Sequence, residues 1–570
     1  MRLNMKSVVL KLFVILLVWV MVVLVILRNS SKERLYVQNF LLNGNVAFNG
    51  NIAFNEMAST TVDPKTDAGS IPDLLPVIVK AKEGEEPPTS CTCKTAPLFR
   101  PEVYQEQLSN PVSWLNMSSL EVLMKHHPNF PYSMIVNTNK EFCELLPSLH
   151  TIEWDETYYQ VVEASDSTTF FLYSAFLDNR PLADTRPCIR ILAFTKAKKL
   201  TRPWCYTWFN TTGPPAVSQV IRTDFVDWQP RSPNHHTCYV LTCRIPETAE
   251  HLKPLAVSVV RQPCEKARTL LQVTGAMQRN NKTAYVGGDS KKINGTPLWN
   301  VAVCGPALFY YHDDISIRLV EWFELLRALG FAKVFLLQTK VHPNIEKVLR
   351  YYEAEGFTSV TKFSYPGPYA NEPNIRRLWV LLERRKLFAM ENMYFTDCVL
   401  RHMHEYRFIS HFDPDEMPML PNHDSFPLWL HDRIVKSHSS KHPTSYDLQW
   451  HYHHDDLELN NDKSLPEYLW FLRHTRRVDI DVYKSLSKPT YDMDLVTGVF
   501  SHGAVTCVYG KCIRKARKCP RKVAYLGHYR RDCGEKCKAP KAVVNEPSLL
   551  KYKDEVSSAV RRVLVALELI

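Results

Sequence analysis

Arg407 to Leu420 reads RFISHFDPDEMPML, and the reading of the whole chain turns on this stretch. Phe408, Ile409 and Phe412 make a short apolar run that breaks off at Asp413, Pro414, Asp415 and Glu416. A buried strand ends in this way where it meets the edge of a cleft. Two carboxylates two residues apart on such an edge can hold a hard divalent cation through oxygen. A cation held there can grip a diphosphate. The pattern makes Asp413 and Asp415 candidate metal ligands, with Glu416 in or just behind the same shell. Asp and Pro are also common turn residues, so a lone Asp-x-Asp reads equally as a solvated acidic turn. The surrounding segments decide between the two.

Upstream, from Leu298, the chain alternates strand and helix. Trp299 to Leu308 (WNVAVCGPAL) reads as a buried strand, and Asp314 to Leu329 (DISIRLVEWFELLRAL) as a helix stopped by Gly330. Lys333 to Leu337 is a strand, Pro343 to Glu355 a helix ended by Gly356, and Val360 to Ser364 a strand. Arg385 to Tyr406 is a long helix that leads into the strand Arg407 to Phe412. Such alternation predicts an α/β architecture, a mostly parallel sheet covered by helices. Ligands bind such sheets at the carboxyl ends of the strands, where Asp413 and Asp415 fall. Between Leu98 and Pro297 the signals are mostly strands. Phe170 to Leu177 (FFLYSAFL), Cys188 to Phe194 (CIRILAF) and Cys238 to Arg244 (CYVLTCR) are apolar or alternating runs separated by Asn, Pro and Gly.

At the other end, Val8 to Leu27 is a run of 20 residues with Lys11 as its only charge. That matches the roughly 20 apolar residues that span a bilayer. Arg-Asn-Ser-Ser-Lys-Glu after it is a poor cleavage site, so the expectation is an uncleaved signal-anchor rather than a removed signal peptide. Asn116, Asn210, Asn281 and Asn294 each open an N-x-S/T sequon, as a lumenal body would. The chain has 15 Cys, which in that compartment should pair with one left over. Cys507, Cys512, Cys519, Cys533 and Cys537 crowd the C-terminal region and lack paired C-x-x-C knuckles, which favours disulfides over zinc. The net charge is +11, densest from Lys511 to Lys522. Behind a membrane anchor this reads as a solvated face or a rim for an anionic donor or glycan, not as a nucleic-acid surface. The expected division is a cytoplasmic tail (1–7), a transmembrane signal-anchor (8–27), a flexible stem (28–95), a β-rich lumenal domain (96–297), a catalytic domain (298–545) and a C-terminal helix (546–570).

Several segments together resemble glycosyltransferase family 92. Tyr173-Ser-Ala-Phe-Leu-Asp-Asn-Arg180 resembles its early motif. Cys304-Gly-Pro-Ala-Leu308, followed by the Glu321-Trp-Phe-Glu-Leu-Leu helix, resembles the start of its catalytic core. Asp397-Cys-Val-Leu-Arg401 before Phe412-Asp-Pro-Asp-Glu416 is similar to its D-C-x-x-R helix and D-x-D-E strand. Ser501-His-Gly503 and His528-Tyr-Arg530 resemble its terminal histidine motifs. The resemblance runs from about Phe170 to Cys533 and implies a GT-A-type nucleotide-sugar transferase fold and an inverting transferase of the Golgi membrane. It also implies β-1,4-galactosyltransferase-like activity with UDP-galactose and Mn²⁺, acting on a glycan acceptor such as an N-glycan.

On that reading His502 completes the metal site of Asp413, Asp415 and Glu416. His528 and Arg530 meet the donor diphosphate, since guanidinium suits planar phosphate contacts. Asp455 and Asp456 are the candidates for the base that deprotonates the acceptor hydroxyl. The same loop, His451-Tyr-His-His-Asp-Asp456, nearly matches the H-x-H-x-D-H pattern of binuclear zinc hydrolases but ends in Asp. A catalytically inactive, glycan-binding membrane protein of the same fold is the competing class, and the intact Asp413 and Asp415 argue against it. No G-x-x-x-x-G-K-[ST] loop and no H-R-D or D-F-G set is present, which argues against a kinase or sulfotransferase.

Overall fold

The computed structural model divides into two units, Met1–Val77 and Ile78–Ile570. Residues 91–570 are described, except 94, 98–123, 125–126, 136–140, 149–150, 197–199, 212, 229–235, 280–283, 289–291, 294, 437–441, 458–461, 479–485, 513 and 531–542. The segment Val8 to Leu27, almost all of the stem, the sequons at Asn116, Asn281 and Asn294, and Cys533 and Cys537 therefore lie outside the described residues. Among the described residues no helix is long and apolar enough to cross a membrane.

The first sheet has nine strands: β1 (Trp154–Asp155), β2 (Tyr159–Ser165), β3 (Thr168–Asp178), β4 (Cys188–Thr195), β5 (Trp204–Phe209), β6 (Ala216–Phe225), β7 (Thr237–Arg244), β8 (Pro254–Val260) and β9 (Leu271–Thr274). Their order is β9-β8-β5-β6-β7-β4-β3-β2-β1, and β9 also pairs with β3 in parallel, Val273 opposite Ala175. That second pairing curls the sheet from β3 to β9 into a barrel-like closure, with β2 and β1 continuing beyond it. Inside it pack Phe170, Leu172, Ile189, Ile191, Tyr239 and Leu241. β4 is buried along its whole length, as expected of a continuous apolar run covered on both faces.

The second sheet begins with three parallel strands joined by two helices. These are β10 (Val301–Leu308), α1 (Ser316–Ala328), β11 (Lys333–Gln338), α2 (Pro343–Ala354) and β12 (Thr358–Lys362). Gly330 and Gly356 follow α1 and α2 at φ +84° and +76°, a left-handed stop that glycine takes without strain. Next come α3 (Pro373–Leu382), which the sequence pattern did not reveal, and α4 (Arg384–His402). α4 feeds β13 (Phe408–His411), which lies parallel to β10. Then follow β14 (Glu416–Met419), α5 (Phe426–Val435), β15 (Ser445–His454), β16 (Arg476–Val478) and β17 (Ser487–Asp492). The hairpin β18 (Val496–Phe500) and β19 (Gly503–Cys507) precedes β20 (Arg517–Lys518), β21 (Tyr525–Arg530), β22 (Val543–Asn545) and α6 (Lys553–Ala566). The sheet path is β12-β11-β10-β13-β17-β15-β16-β22, with β20 beside β15 and β21 bridging β14 and β15. The parallel half thus continues into a mixed half: β17 runs against both β13 and β15, while β20 and β21 lie parallel to β15.

His451 to Asp456 corrects the sequence reading: the four residues expected in a loop, His451 to His454, form the end of strand β15. Their ring pairs, His453 on Tyr529 and His451 on Tyr525, pack sideways against β21. The polar composition concealed a buried strand.

Several motif residues join the two sheets. Asp178 accepts from Arg180 and Arg190 at 2.8–2.9 Å, and Arg180 donates on to the Met493 and Val496 carbonyls at 2.6 Å. On α4, Asp397 accepts from Ser174 Oγ at 2.7 Å and from Arg401 at 2.9 Å. Disulfides join Cys304 to Cys398, Cys91 to Cys264, Cys93 to Cys143, Cys205 to Cys243 and Cys507 to Cys512. Cys188, Cys238 and Cys519 are free and buried.

Candidate active site

β13 ends at His411, and the chain turns over Phe412 to Asp415 before β14 begins. The turn closes on itself, the Asp413 N–H donating to Glu416 Oε2 at 2.9 Å and the Glu416 N–H to the Asp413 carbonyl at 2.9 Å. Trp322 on α1 donates its indole N–H to the Glu416 carbonyl at 3.0 Å. The acidic turn is thus clamped from the helix that covers the sheet.

β17 reaches the same edge from the opposite direction. Its pairing sets Asp492 opposite Phe408 and Thr490 opposite Ser410, so its first residues arrive beside the turn. Lys488 Nζ lies 2.7 Å from Asp413 Oδ2 and 3.4 Å from Glu416 Oε2. Burial disfavours the ammonium, yet the Asp413 and Glu416 carboxylates hold its pKa above the ordinary lysine value. Burial, reinforced by Asp413 and Asp415 against the opposing Lys488, raises the Glu416 carboxyl well above the usual range.

β21 supplies the third side. It pairs with β14 so that His528 stands opposite Glu416, and with β15 so that Tyr452 stands opposite His528. His528 Nε2 lies 3.2 Å from Asp415 Oδ2. Burial depresses its pKa although Asp415 opposes the shift, which keeps the imidazole neutral and able to act as a ligand. Trp450 links the two terminal histidines, its ring 4.5 Å from that of His528 and 5.1 Å from that of His502. His502 Nδ1 lies 2.9 Å from the Ser487 carbonyl, and burial followed by the Lys488 charge lowers its pKa to about 3.

Arg530 closes β21 with its guanidinium 5.6 Å above the Tyr452 ring. Its Nε and Nη2 are buried without a hydrogen-bond partner among the described residues. Its carbonyl accepts from the Asp455 N–H at 2.9 Å. Asp455 Oδ1 takes the Trp470 indole N–H at 2.7 Å and lies 3.2 Å from His474 Nε2. Arg318 of α1 stacks 3.3 Å over the Trp470 ring. Asp456 is exposed.

The fold therefore brings Asp413, Asp415, Glu416, His528 and, through Trp450, His502 to one edge, with Arg530 and Asp455 alongside. Asp455 is already engaged in holding Trp470. The sequence reading gave no site role to Lys488, Trp322, Trp450 or Arg318, although Trp322 and Arg318 stand in the α1 segment it quoted. Nothing local to these residues signals such a role, and only strand register and helix packing place them there. The oxygen and imidazole donors suit a hard or borderline divalent ion. Among the described residues, however, no group of three or more His, Cys, Asp or Glu is drawn together tightly enough to hold one, and Lys488 stands against two of the carboxylates. Of the four sequons, Asn210 is described; it is exposed, just beyond β5.

No curated protein matches this chain. A solved structure titled "Crystal Structure of a Mycobacterial Protein" is 10% identical over 47% of this chain and 73% of that one, at a TM-score of 0.20. The family match begins after the first sheet, so Tyr173 to Arg180 lies outside it. Residues 300–561, which contain the whole acidic edge, match the family model Glycosyltransferase family 92, and this supports reading the chain as a glycosyltransferase.

Proposed function

We propose that the chain is a metal-dependent, inverting glycosyltransferase with a GT-A-type catalytic domain, moving a sugar from a nucleotide donor to a glycan hydroxyl. The observation that carries this is the meeting of Asp413 and Asp415, at the carboxyl end of parallel strand β13, with His528 and Arg530 on β21. Asp413, Asp415, Glu416, His502 and His528 are the oxygen and imidazole donors that would have to draw closer to hold Mn²⁺ or a similar ion, which would supply Lewis-acid stabilisation of charge on the departing diphosphate. Arg530 would orient that diphosphate through its two buried N–H groups. A carboxylate beside the acceptor would take the hydroxyl proton; of the two candidates Asp456 is exposed, and Asp455 is held by Trp470. UDP-galactose is the donor and an N-glycan the acceptor on this reading, by family resemblance. The body would lie in the lumen of the secretory pathway, tethered to the Golgi membrane through Val8 to Leu27, which fits the exposed sequon at Asn210.

The test is UDP-sugar hydrolysis and transfer by the soluble body, with Mn²⁺ and with EDTA. UDP release that needs both the metal and Asp415 supports the proposal. A body that binds glycans yet turns over no UDP-sugar with any metal would point to the glycan-binding alternative.

A further inference from the structure

The most unusual group at the acidic edge is the one the sequence did not mark. Lys488 is 1% exposed, and its ammonium touches two carboxylates of one tight turn. An ammonium taken from water into a protein interior is strongly penalised unless it is paired. Three carboxylates within four residues likewise repel one another unless positive charge stands among them. Each condition answers the other here. The lysine is not placed by chance mobility either. It sits within β17 opposite Leu448 of β15, and the Ser487 carbonyl beside it lies within hydrogen-bond distance of His502.

We propose that Lys488 is a built-in cation of the acidic turn: it neutralises the Asp413–Glu416 pair before any divalent ion arrives, competes with that ion for Asp413, and so sets how tightly the ion is held. Lys488 is in this sense a positioning residue. The turn stays folded without metal, and an entering ion gains less from Asp413, because Lys488 already stands against that carboxylate at 2.7 Å. The inference rests on the divalent-ion reading given above. It goes beyond that reading by assigning the ion's affinity to a residue outside its donor set.

The test is Mn²⁺ titration of the soluble body by electron paramagnetic resonance, with melting followed in EDTA and in Mn²⁺. Lys488→Met removes the charge and keeps the length. It should melt about 5 °C or more below wild type in EDTA, regain most of that loss in Mn²⁺, and bind Mn²⁺ about tenfold more tightly. A merely structural lysine would leave the variant equally destabilised with and without the ion, and that result, or an unchanged Mn²⁺ affinity, overturns the proposal. Should Lys488→Met not fold, two other variants decide. Asp413→Asn should weaken Mn²⁺ by only about threefold, while Asp415→Asn weakens it by about thirtyfold or more. Equal losses count against the proposal. UDP-sugar hydrolysis is read separately on wild type: its absence would count against the transferase, whereas the Mn²⁺ comparisons judge Lys488 alone.

Discussion

Asp415 faces His528 at 3.2 Å, while Asp413 faces Lys488 at 2.7 Å. The two aspartates of one motif are therefore paired with different groups, Asp415 with an imidazole and Asp413 with an ammonium, and the proposed metal role makes Asp415 the more telling one to test. Asp415→Asn keeps volume and hydrogen bonding but removes the charge. It should melt close to wild type and lose turnover by at least about 100-fold, as loss of a key electrostatic group does; near-normal UDP-sugar turnover would refute the assignment. Glu321 gives a residue-scale prediction away from the site. It is fully buried, and its carboxylate accepts the N–H groups of Trp470 and Leu472 at 2.5 and 3.0 Å. Burial raises its pKa from 4.5 to about 7, against those hydrogen bonds. The folded state holds the proton more tightly than the unfolded one, so this contribution is full below pH 4.5 and is lost as pH rises through about 7. The effect is on the order of 3 kcal/mol. Glu321→Gln should flatten that part of the stability profile, read as denaturation midpoints at pH 5 and 8; an unchanged slope would rule it out. The clustering of Asp413, Asp415 and Glu416 at a strand end was legible in the sequence, because the three are neighbours in the chain at the break of an apolar run. Lys488 and Trp322 were not, because their roles come from register and packing across distant segments.

At the scale of elements, the strand–helix alternation from β10 to β13 was legible, with both glycine stops, because periodicity and caps are local. β15 was not, since His451 to His454 hide a buried strand behind polar letters that pack on β21. The junction of the two sheets was visible only as a motif without a meaning. The structure makes Asp178 its pivot, the sole carboxylate among the described residues that pairs with Arg180 and Arg190. Asp178→Ala would leave two buried guanidinium groups uncompensated and should destabilise by about 3–5 kcal/mol, read by chemical denaturation. Gly498 in β18 makes the same junction from the other side. A Cβ there would come within 2.8 Å of Val226 Cγ2, so Gly498→Ala should cost about 1–3 kcal/mol. If both variants denature like wild type, the two sheets are not joined through these residues.

On the scale of the whole molecule, residues 78–570 fold as one unit, and that unit begins well before the family match. Cys91 pairs with Cys264 and Cys93 with Cys143, so the first described residues are stitched onto the first sheet. The loops closed are long, 173 and 50 residues apart in sequence. Cross-links that close long loops reduce the freedom of the unfolded chain, and losing one typically costs about 2–5 kcal/mol. A chain starting at Ile78 keeps both partners; one starting at Thr95 strands Cys143 and Cys264 as free thiols. The first, made in a secreting cell, should accumulate as a soluble monodisperse protein. The second should aggregate or be retained, and replacing Cys143 and Cys264 by Ser should relieve the mispairing without restoring full stability. The same secreted body tests the lumenal reading, because Asn210 lies exposed beyond β5. Glycosidase should shift its mass, and Asn210→Gln should remove one glycan's share of that shift. If the two chains secrete equally well, the N-terminal disulfides do not stabilise the body; if glycosidase leaves the mass unchanged, the compartment assigned here is wrong.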